Sequence, residues 1–139
     1  MTTAKPNQSE AHAKRDWLLV VDDDEPIRQV VAKFLEDAGI EVAGAASGAE
    51  ALQVLDKRST EPVVVFVDVL MPGMDGLTLT RKLRSRLKSS VLVIISGHMT
   101  DLSWWPVDLR EVAFLAKPFR LAEIMAIVTA ARTGLRRED

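Results

Sequence analysis

The stretch Val63-Val64-Val65-Phe66-Val67-Asp68 decides the fold of this chain. Five consecutive apolar residues, four of them β-branched, run directly into one carboxylate. Such a run is typical of a strand buried on both faces of a parallel sheet. The turn residues 71–76 follow and cannot continue a strand or a helix. Asp68 is therefore predicted at the carboxyl end of a central strand, where open α/β sheets bind ligands. On this stretch alone, a loop-capping role for Asp68 stays open.

Strand and helix patterns alternate along the rest of the chain. Helical patterns are supported by Pro26 in a first turn, by Gly39 as a C-cap and by the capping box from Ser47 to Glu50. Further apolar or weakly apolar strand runs occupy residues 17–21, 41–45, 91–95 and 112–116. The repeated β-α order predicts an α/β fold, a doubly wound five-stranded parallel sheet with helices on both faces.

Length and composition limit the alternatives. A chain of 139 residues predicts one domain, which we place at residues 16–133, between a flexible N-terminal tail (1–15) and a short C-terminal tail (134–139). The absence of Cys excludes disulfides and thiolate metal sites. A formal charge of -2 gives no overall signal for nucleic acid. No signal peptide and no run of ~20 apolar residues is present, so we expect a cytoplasmic protein.

Charged and polar side chains collect at the carboxyl edge of the predicted sheet, namely Asp22, Asp23, Asp68, Ser96 and Lys117. Two carboxylates about 4 Å apart repel by roughly 4 kcal/mol at an effective dielectric constant of 20. An ammonium and a divalent cation such as Mg²⁺ would offset that repulsion. A carboxylate in such a site is suited to attack phosphorus, with a hydroxyl donating to a phosphoryl oxygen. The simpler alternatives are a helix N-cap cluster of Asp22, Asp23 and Asp24, a turn role for Ser96 and a plain surface role for Lys117.

Four motifs at strand ends together resemble one family. These are Asp22-Asp23, Asp68 with residues 71–76, Ser96-Gly97 and Lys117-Pro118-Phe119. In this order they resemble the CheY-like receiver domain of two-component response regulators. The resemblance covers Trp17 to Arg132.

The resemblance implies an aspartyl-phosphate site. Asp68 would accept a phosphoryl group from the phosphohistidine of a sensor histidine kinase. Mg²⁺ (or Mn²⁺) would be bound by Asp23, by Asp68 and by the backbone carbonyl of Leu70, with Asp22 contributing through water.

The resemblance also implies a switch. Lys117 would pair with the phosphoryl group, and the Lys117-Pro118 peptide bond would be cis. Ser96 would move to hydrogen-bond the phosphoryl group, and the ring of Phe114 would turn inward behind it. Phe114 lacks the hydroxyl that a Tyr in this position would offer.

The function implied is that of a single-domain response regulator that signals by binding other proteins. It would catalyse only its own phosphorylation and dephosphorylation. We expect no direct contact with nucleic acid or membrane, and a monomer or weak dimer. A phosphorelay carrier that passes phosphate to a histidine phosphotransfer protein is the alternative. A degenerate receiver that only binds partners is a third reading. A haloacid-dehalogenase-type phosphatase would need an Asp where Leu70 stands.

Two segments depart from the simple pattern. Pro106 in Trp104-Trp105-Pro106 would cost a helix about 3 kcal/mol, so the fourth helix is predicted to be short, shifted or broken. Trp104 and Trp105 are candidates for a partner surface, with internal packing as the alternative. His98 follows Ser96 by two residues and is either near the site or simply solvated; no hydrolase motif surrounds it. The basic helix at residues 81–88 is predicted to be a solvated face rather than a nucleic-acid contact.

Overall fold

The computed structural model describes residues 16–97 and 105–138. These residues form a five-stranded parallel sheet with helices on both faces, which confirms the predicted fold class. The strands are β1 (Trp17–Val21), β2 (Glu41–Ala45), β3 (Val64–Asp68), β4 (Val91–Ser96) and β5 (Ala113–Ala116). The helices are α1 (Glu25–Asp37), α2 (Gly48–Asp56), α3 (Gly76–Arg86) and α4 (Leu121–Glu138). None of the helices in this part of the chain is both long and apolar enough to cross a bilayer.

The order of the strands creates a switch point in the sheet. The order is β2-β1-β3-β4-β5, so the chain first adds a strand on one side of β1 and then continues on the other. Crossovers therefore leave β1 and β3 in opposite directions, and a crevice opens outside their carboxyl ends. Asp22 and Asp23 follow β1, and Asp68 ends β3. The topology alone thus brings these carboxylates to the same crevice.

The core has two layers, one on each face of the sheet. All residues of β1 and β3 are buried, as expected of central parallel strands. Alternate side chains point to opposite faces. Leu18, Val20 and Phe66 pack in one layer with α1 and α4, whereas Leu19, Val21 and Val67 pack in the other with α2 and α3.

Local signals in the sequence place the helix ends. The Asp24 carboxylate accepts from the Ile27 amide at 3.3 Å, and Pro26 lies in the first turn of α1. Ser47 Oγ accepts from the Glu50 amide at 3.2 Å at the start of α2. Gly39 has a φ of 85°, the left-handed conformation that commonly ends a helix. The predictions for Pro26 and Gly39 are confirmed, and of the predicted capping box the structure shows the bond from the Glu50 amide to Ser47.

The segment between β4 and β5 is irregular in its described part. Residues 98–104, which include His98 and Trp104, lie outside the described residues. Pro106 is extended, with φ -62° and ψ 136°, and only a single 3₁₀ turn follows at Val107–Leu109. Because Pro has no N–H and fixes its own φ, it precedes this turn instead of continuing a helix.

Two arginines of α3 contact residues in and just after the 3₁₀ turn. Arg81 makes a two-pronged contact with the Asp108 carboxylate, with N···O distances of 2.8 and 3.2 Å. Arg84 donates to the Asp108 carbonyl and, at 2.7 Å, to Glu111. The basic face of α3 is therefore partly engaged with acidic side chains of the same chain.

The last helix is longer than its apolar pattern indicated. α4 continues to Glu138 and so includes residues 134–138, which the sequence assigned to a C-terminal tail. The predicted N-terminal tail, residues 1–15, lies outside the described residues.

Leu79 on α3, with Leu70 in the preceding loop as a control, tests the packing of α3 against the sheet. Leu79 is fully buried and Leu70 is 60% exposed, although the sequence alone does not rank them. We expect Leu79→Ala to lower the free energy of unfolding by about 2–5 kcal/mol, and Leu70→Ala by less than about 0.5 kcal/mol. Urea denaturation followed by circular dichroism measures both. Equal losses in the two variants would contradict the described packing.

Candidate functional site

Three carboxylates meet at the switch point. Each of Asp22, Asp23 and Asp68 places a carboxylate oxygen within 4.8 Å of the others. Asp22 and Asp68 are only 1% and 6% exposed, whereas Asp23 is exposed. Buried carboxylates this close together repel, so the fold must supply compensating charge or hydrogen bonds.

Backbone hydrogen bonds just beyond the strand ends fix the positions of these residues. The Asp22 amide donates to the Ala45 carbonyl at 3.0 Å, and the Val69 amide donates to the Ile95 carbonyl at 3.0 Å. The Asp22 side chain then accepts from the Asp24 amide at 3.0 Å. Asp22 and Asp68 are therefore held at the edge of the sheet and not by a loose loop.

Lys117 provides the compensating charge. It follows β5, and its amide donates to the Ser96 carbonyl at 2.9 Å. Its ammonium lies 3.0 Å from Asp22 Oδ2 and 3.5 Å from Asp68 Oδ1. The Lys117-Pro118 peptide bond is cis, as the resemblance implied.

The pKa values of the site reflect this balance. Burial, followed by the charge of Asp22, raises the pKa of Asp68 from 3.8 to about 6, although Lys117 opposes the shift. Burial lowers the pKa of Lys117, but the hydrogen bond and charge of Asp22 and the charge of Asp68 outweigh it and leave that pKa above its usual value. Lys117 alone therefore does not fully offset the burial of Asp68 and its repulsion by Asp22.

The donor set suits a hard divalent cation. Three carboxylates outnumber the one ammonium, and oxygen ligands are those that Mg²⁺ prefers. Asp23 is exposed and so leaves room for water on the outer side of the site. Leu70 lies two residues after Asp68, and the part of its carbonyl in binding a cation stays a prediction.

The predicted switch residues line the same region. Ser96 ends β4, is 3% exposed and lies opposite Ala116 in the β4–β5 pairing. Phe114 lies opposite Ile94, two residues earlier in that pairing. The structure thus places Ser96 beside Lys117 and Phe114 farther from the carboxyl edge.

Phe114 contacts one of the two predicted surface tryptophans. The rings of Trp105 and Phe114 meet edge to face, with centroids 5.7 Å apart at 77°. Trp105 Nε1 donates to the Leu109 carbonyl at 2.9 Å, and the indole is partly buried. Trp105 therefore packs against the predicted switch residue, while Trp104 lies outside the described residues.

The sequence did not reveal why Gly76 is a glycine at the start of α3. A Cβ on Gly76 would lie 2.1 Å from the Asp68 carbonyl oxygen and 2.7 Å from Val69 Cα. The Gly76 amide also donates to the Val69 carbonyl at 2.9 Å. The run of turn residues was the only signal in the sequence, and it indicated a turn rather than this close approach of backbone to Asp68.

The fold and the acidic cluster define a class, the doubly wound α/β domains with an acidic site at the switch point. Within it, residues 18–129 match the response regulator receiver domain. The chain is 34% identical to the sensor kinase CckA of Brucella abortus over 88% of this chain, but it spans only 13% of that kinase. The chain belongs to the response regulator receiver domain family of two-component systems.

Solved structures agree with this assignment. A receiver domain protein from Clostridium thermocellum has a TM-score of 0.78 and 26% identity, over 89% of this chain and 99% of the other. The response regulator TrrA from Thermotoga maritima, solved in complex with Mg²⁺-BeF, has a TM-score of 0.71 and 25% identity, over 84% of this chain and 98% of the other.

Adding a methyl group at Gly76 tests the close approach to Asp68. We expect Gly76→Ala to lower the free energy of unfolding by about 1–3 kcal/mol, because backbone atoms have to shift. Gly44→Ala is the matched control, since its Cβ would meet nothing closer than Arg28 Cδ at 3.5 Å. Urea denaturation compares the two. Unchanged stability in Gly76→Ala would contradict the described contact.

The raised pKa of Asp68 predicts a pH-dependent gain from Asp68→Asn. Since the folded protein favours the neutral carboxyl group, the stability that Asp68 contributes is fully present below its ordinary pKa of 3.8 and is lost as the pH rises through about 6. Asn stays neutral throughout. We expect Asp68→Asn to be more stable than wild type by the order of 1–3 kcal/mol near neutral pH, and this difference to shrink towards about pH 4.

Denaturation in the presence of a chelator, at both pH values, measures the difference between wild type and Asp68→Asn. Asp37→Asn is the control, because the Asp37 side chain is 65% exposed on α1. A gain at neutral pH that is the same in both variants, or that grows as the pH falls, would contradict the assignment.

Proposed function

We propose that Asp68 accepts a phosphoryl group from the phosphohistidine of a sensor histidine kinase. The observation that supports this most directly is the convergence of Asp22, Asp23 and Asp68 beside Lys117, in a chain of the receiver family. A carboxylate held at a strand end is positioned to react with a bound donor.

The proposed chemistry is one phosphoryl transfer to Asp68, followed by hydrolysis of the acyl phosphate. A carboxylate oxygen of Asp68 bonds to phosphorus, the P–N bond to the donor imidazole breaks, and an acyl phosphate forms. A pKa of about 6 leaves the Asp68 carboxyl group mostly ionised at neutral pH, as a nucleophile requires. Water then attacks phosphorus, inorganic phosphate leaves, and the carboxylate returns. In this proposal the protein catalyses no reaction on other substrates.

Asp23, Asp68 and the Leu70 carbonyl would hold Mg²⁺ (or Mn²⁺), with Asp22 acting through water. The bound ion supplies positive charge for the phosphoryl oxygens. Lys117, 3.5 Å from Asp68, would pair with a further phosphoryl oxygen. The similar protein TrrA was solved in complex with Mg²⁺-BeF, which supports a Mg²⁺ ion at the acidic cluster of this chain.

Phosphorylation would be read out through Ser96 and Phe114. Phosphorylation adds about -2 charge, which would draw the Ser96 hydroxyl towards the phosphoryl group. Phe114 would then turn inward and lose its edge-to-face contact with Trp105. A partner protein would recognise the changed surface, of which Trp104 and Trp105 are the candidate contacts.

A groove beside the site supports docking of a protein donor. It has a volume of about 640 Å³ between α1 and the residues that follow β5, and it reaches Lys117. Its lining is mainly apolar and includes Ile27, Phe119 and Val30, which is 55% exposed. A kinase domain seated there would bring its histidine to the acidic edge of the sheet.

Two downstream roles follow the same first step. In the first, the protein is a single-domain response regulator that acts by protein–protein contact. In the second, it is a phosphorelay carrier that passes the phosphoryl group to a histidine phosphotransfer protein. The similarity to part of a sensor kinase is the observation that favours the second.

Transfer of labelled phosphate from an autophosphorylated histidine kinase tests the proposal. With Mg²⁺ present, we expect wild type to acquire label that hydroxylamine removes, as an acyl phosphate requires. Asp68→Asn should acquire none, and Asp37→Asn should behave as wild type. Label that persists in Asp68→Asn, or that resists hydroxylamine, would exclude Asp68 as the acceptor.

The same labelled protein separates the two downstream roles. Movement of label to the histidine of an added phosphotransfer protein identifies a carrier. Loss of label only as inorganic phosphate identifies a regulator that acts by binding.

A further inference from the structure

One arginine near the acidic cluster has no role in the chemistry described so far. Arg28 lies on α1, where its amide donates to the Asp24 carbonyl at 3.1 Å. Its side chain turns back towards the start of the helix, and Nη1 donates to the Asp22 carbonyl at 2.6 Å. Among the described residues its guanidinium forms no ion pair with a carboxylate, although three carboxylates lie nearby. The guanidinium therefore binds the backbone of a residue in the acidic cluster and not its carboxylate.

The remaining polar groups of Asp22 already have partners. Its amide donates to Ala45, one carboxylate oxygen accepts from Asp24, and the other accepts from Lys117. The hydrogen bond from Arg28 gives the Asp22 carbonyl a partner as well. A peptide unit is planar, so holding the Asp22 carbonyl also fixes the amide of Asp23. Asp23 has no strand or helix to hold it, since it lies between β1 and α1.

We infer that Arg28 is a positioning residue that holds the Asp22–Asp23 peptide unit and thereby aims the Asp23 carboxylate at the cation. The inference rests on the proposed function, in which Asp23 is a cation ligand. Partners of metal ligands commonly change metal affinity 10–100-fold when they are removed, because they orient the ligand.

Charge alone predicts that removing Arg28 strengthens cation binding, whereas a positioning role predicts that it weakens it. The direction of the change in cation affinity therefore tests the inference. Arg28 carries a positive charge beside an acidic site, so removing that charge alone would strengthen cation binding. Loss of a positioning hydrogen bond would weaken it. Lys33 on the same helix is the matched control, because its side chain is 77% exposed, pairs with Asp37 and carries the same charge.

The experiment measures binding of Mn²⁺ alone, from the electron paramagnetic resonance signal of the free ion, with Mg²⁺ as competitor. We expect Arg28→Met to bind about tenfold more weakly than wild type, and Lys33→Met to stay within about twofold. The amide resonance of Asp23 in the metal-free protein should shift in Arg28→Met and stay in place in Lys33→Met. Binding by Arg28→Met that equals or exceeds that of wild type overturns the inference.

Arg28→Lys keeps the inference testable if Arg28→Met does not fold. It preserves the charge but shortens the side chain, so the bond to the Asp22 carbonyl weakens. We expect roughly threefold weaker Mn²⁺ binding, and wild-type affinity in this variant would contradict a positioning role. If wild type itself binds no Mn²⁺, the proposed function fails as well, whereas failure of the Arg28 variants alone leaves it standing.

Discussion

The contact of one ammonium with two buried carboxylates is the interaction on which the site depends. Lys117 reaches Asp22 and Asp68 from the end of a different strand, at 3.0 and 3.5 Å. Without it, two nearly inaccessible carboxylates would face each other with little water to screen them. Even with it, burial and the charge of Asp22 keep the pKa of Asp68 raised, so additional positive charge would stabilise the ionised carboxylate. A divalent cation bound by these carboxylates would supply that charge.

The rigidity of this edge comes from backbone contacts rather than from the acidic side chains. Interstrand hydrogen bonds continue just past the ends of β1 and β3, and the Gly76 amide closes the loop that follows Asp68. Glycine at residue 76 lets the start of α3 lie against the Asp68 carbonyl. Because the backbone is fixed in this way, the carboxylates are held together despite their repulsion. Arg28 contributes in the same way, because its hydrogen bond is to a peptide carbonyl and not to a carboxylate.

The segment after β4 connects the site to the protein surface. Val69, next to Asp68, packs in one small cluster with Ile94 and Leu109, and Trp105 borders that cluster. Trp105 also contacts Phe114, while two arginines of α3 form exposed ion pairs with the residues in and after the adjoining 3₁₀ turn. Exposed ion pairs of this kind contribute little individually, so the turn is held mainly by the buried leucine and the tryptophan. A change at Asp68 thus has a short path of packed side chains to this face.

The sequence determined the fold and the members of the acidic cluster, because apolar runs that end in carboxylates place those carboxylates at strand ends. Helix starts at Asp24 and Ser47 were equally readable, since capping is a local interaction. Only the tertiary structure decided how closely Lys117 approaches each carboxylate, how deeply Asp68 is buried and which backbone Gly76 approaches. It also decided the partner of Arg28 and the contact between Trp105 and Phe114. These depend on distances between segments far apart in the chain, which no local pattern of residues records.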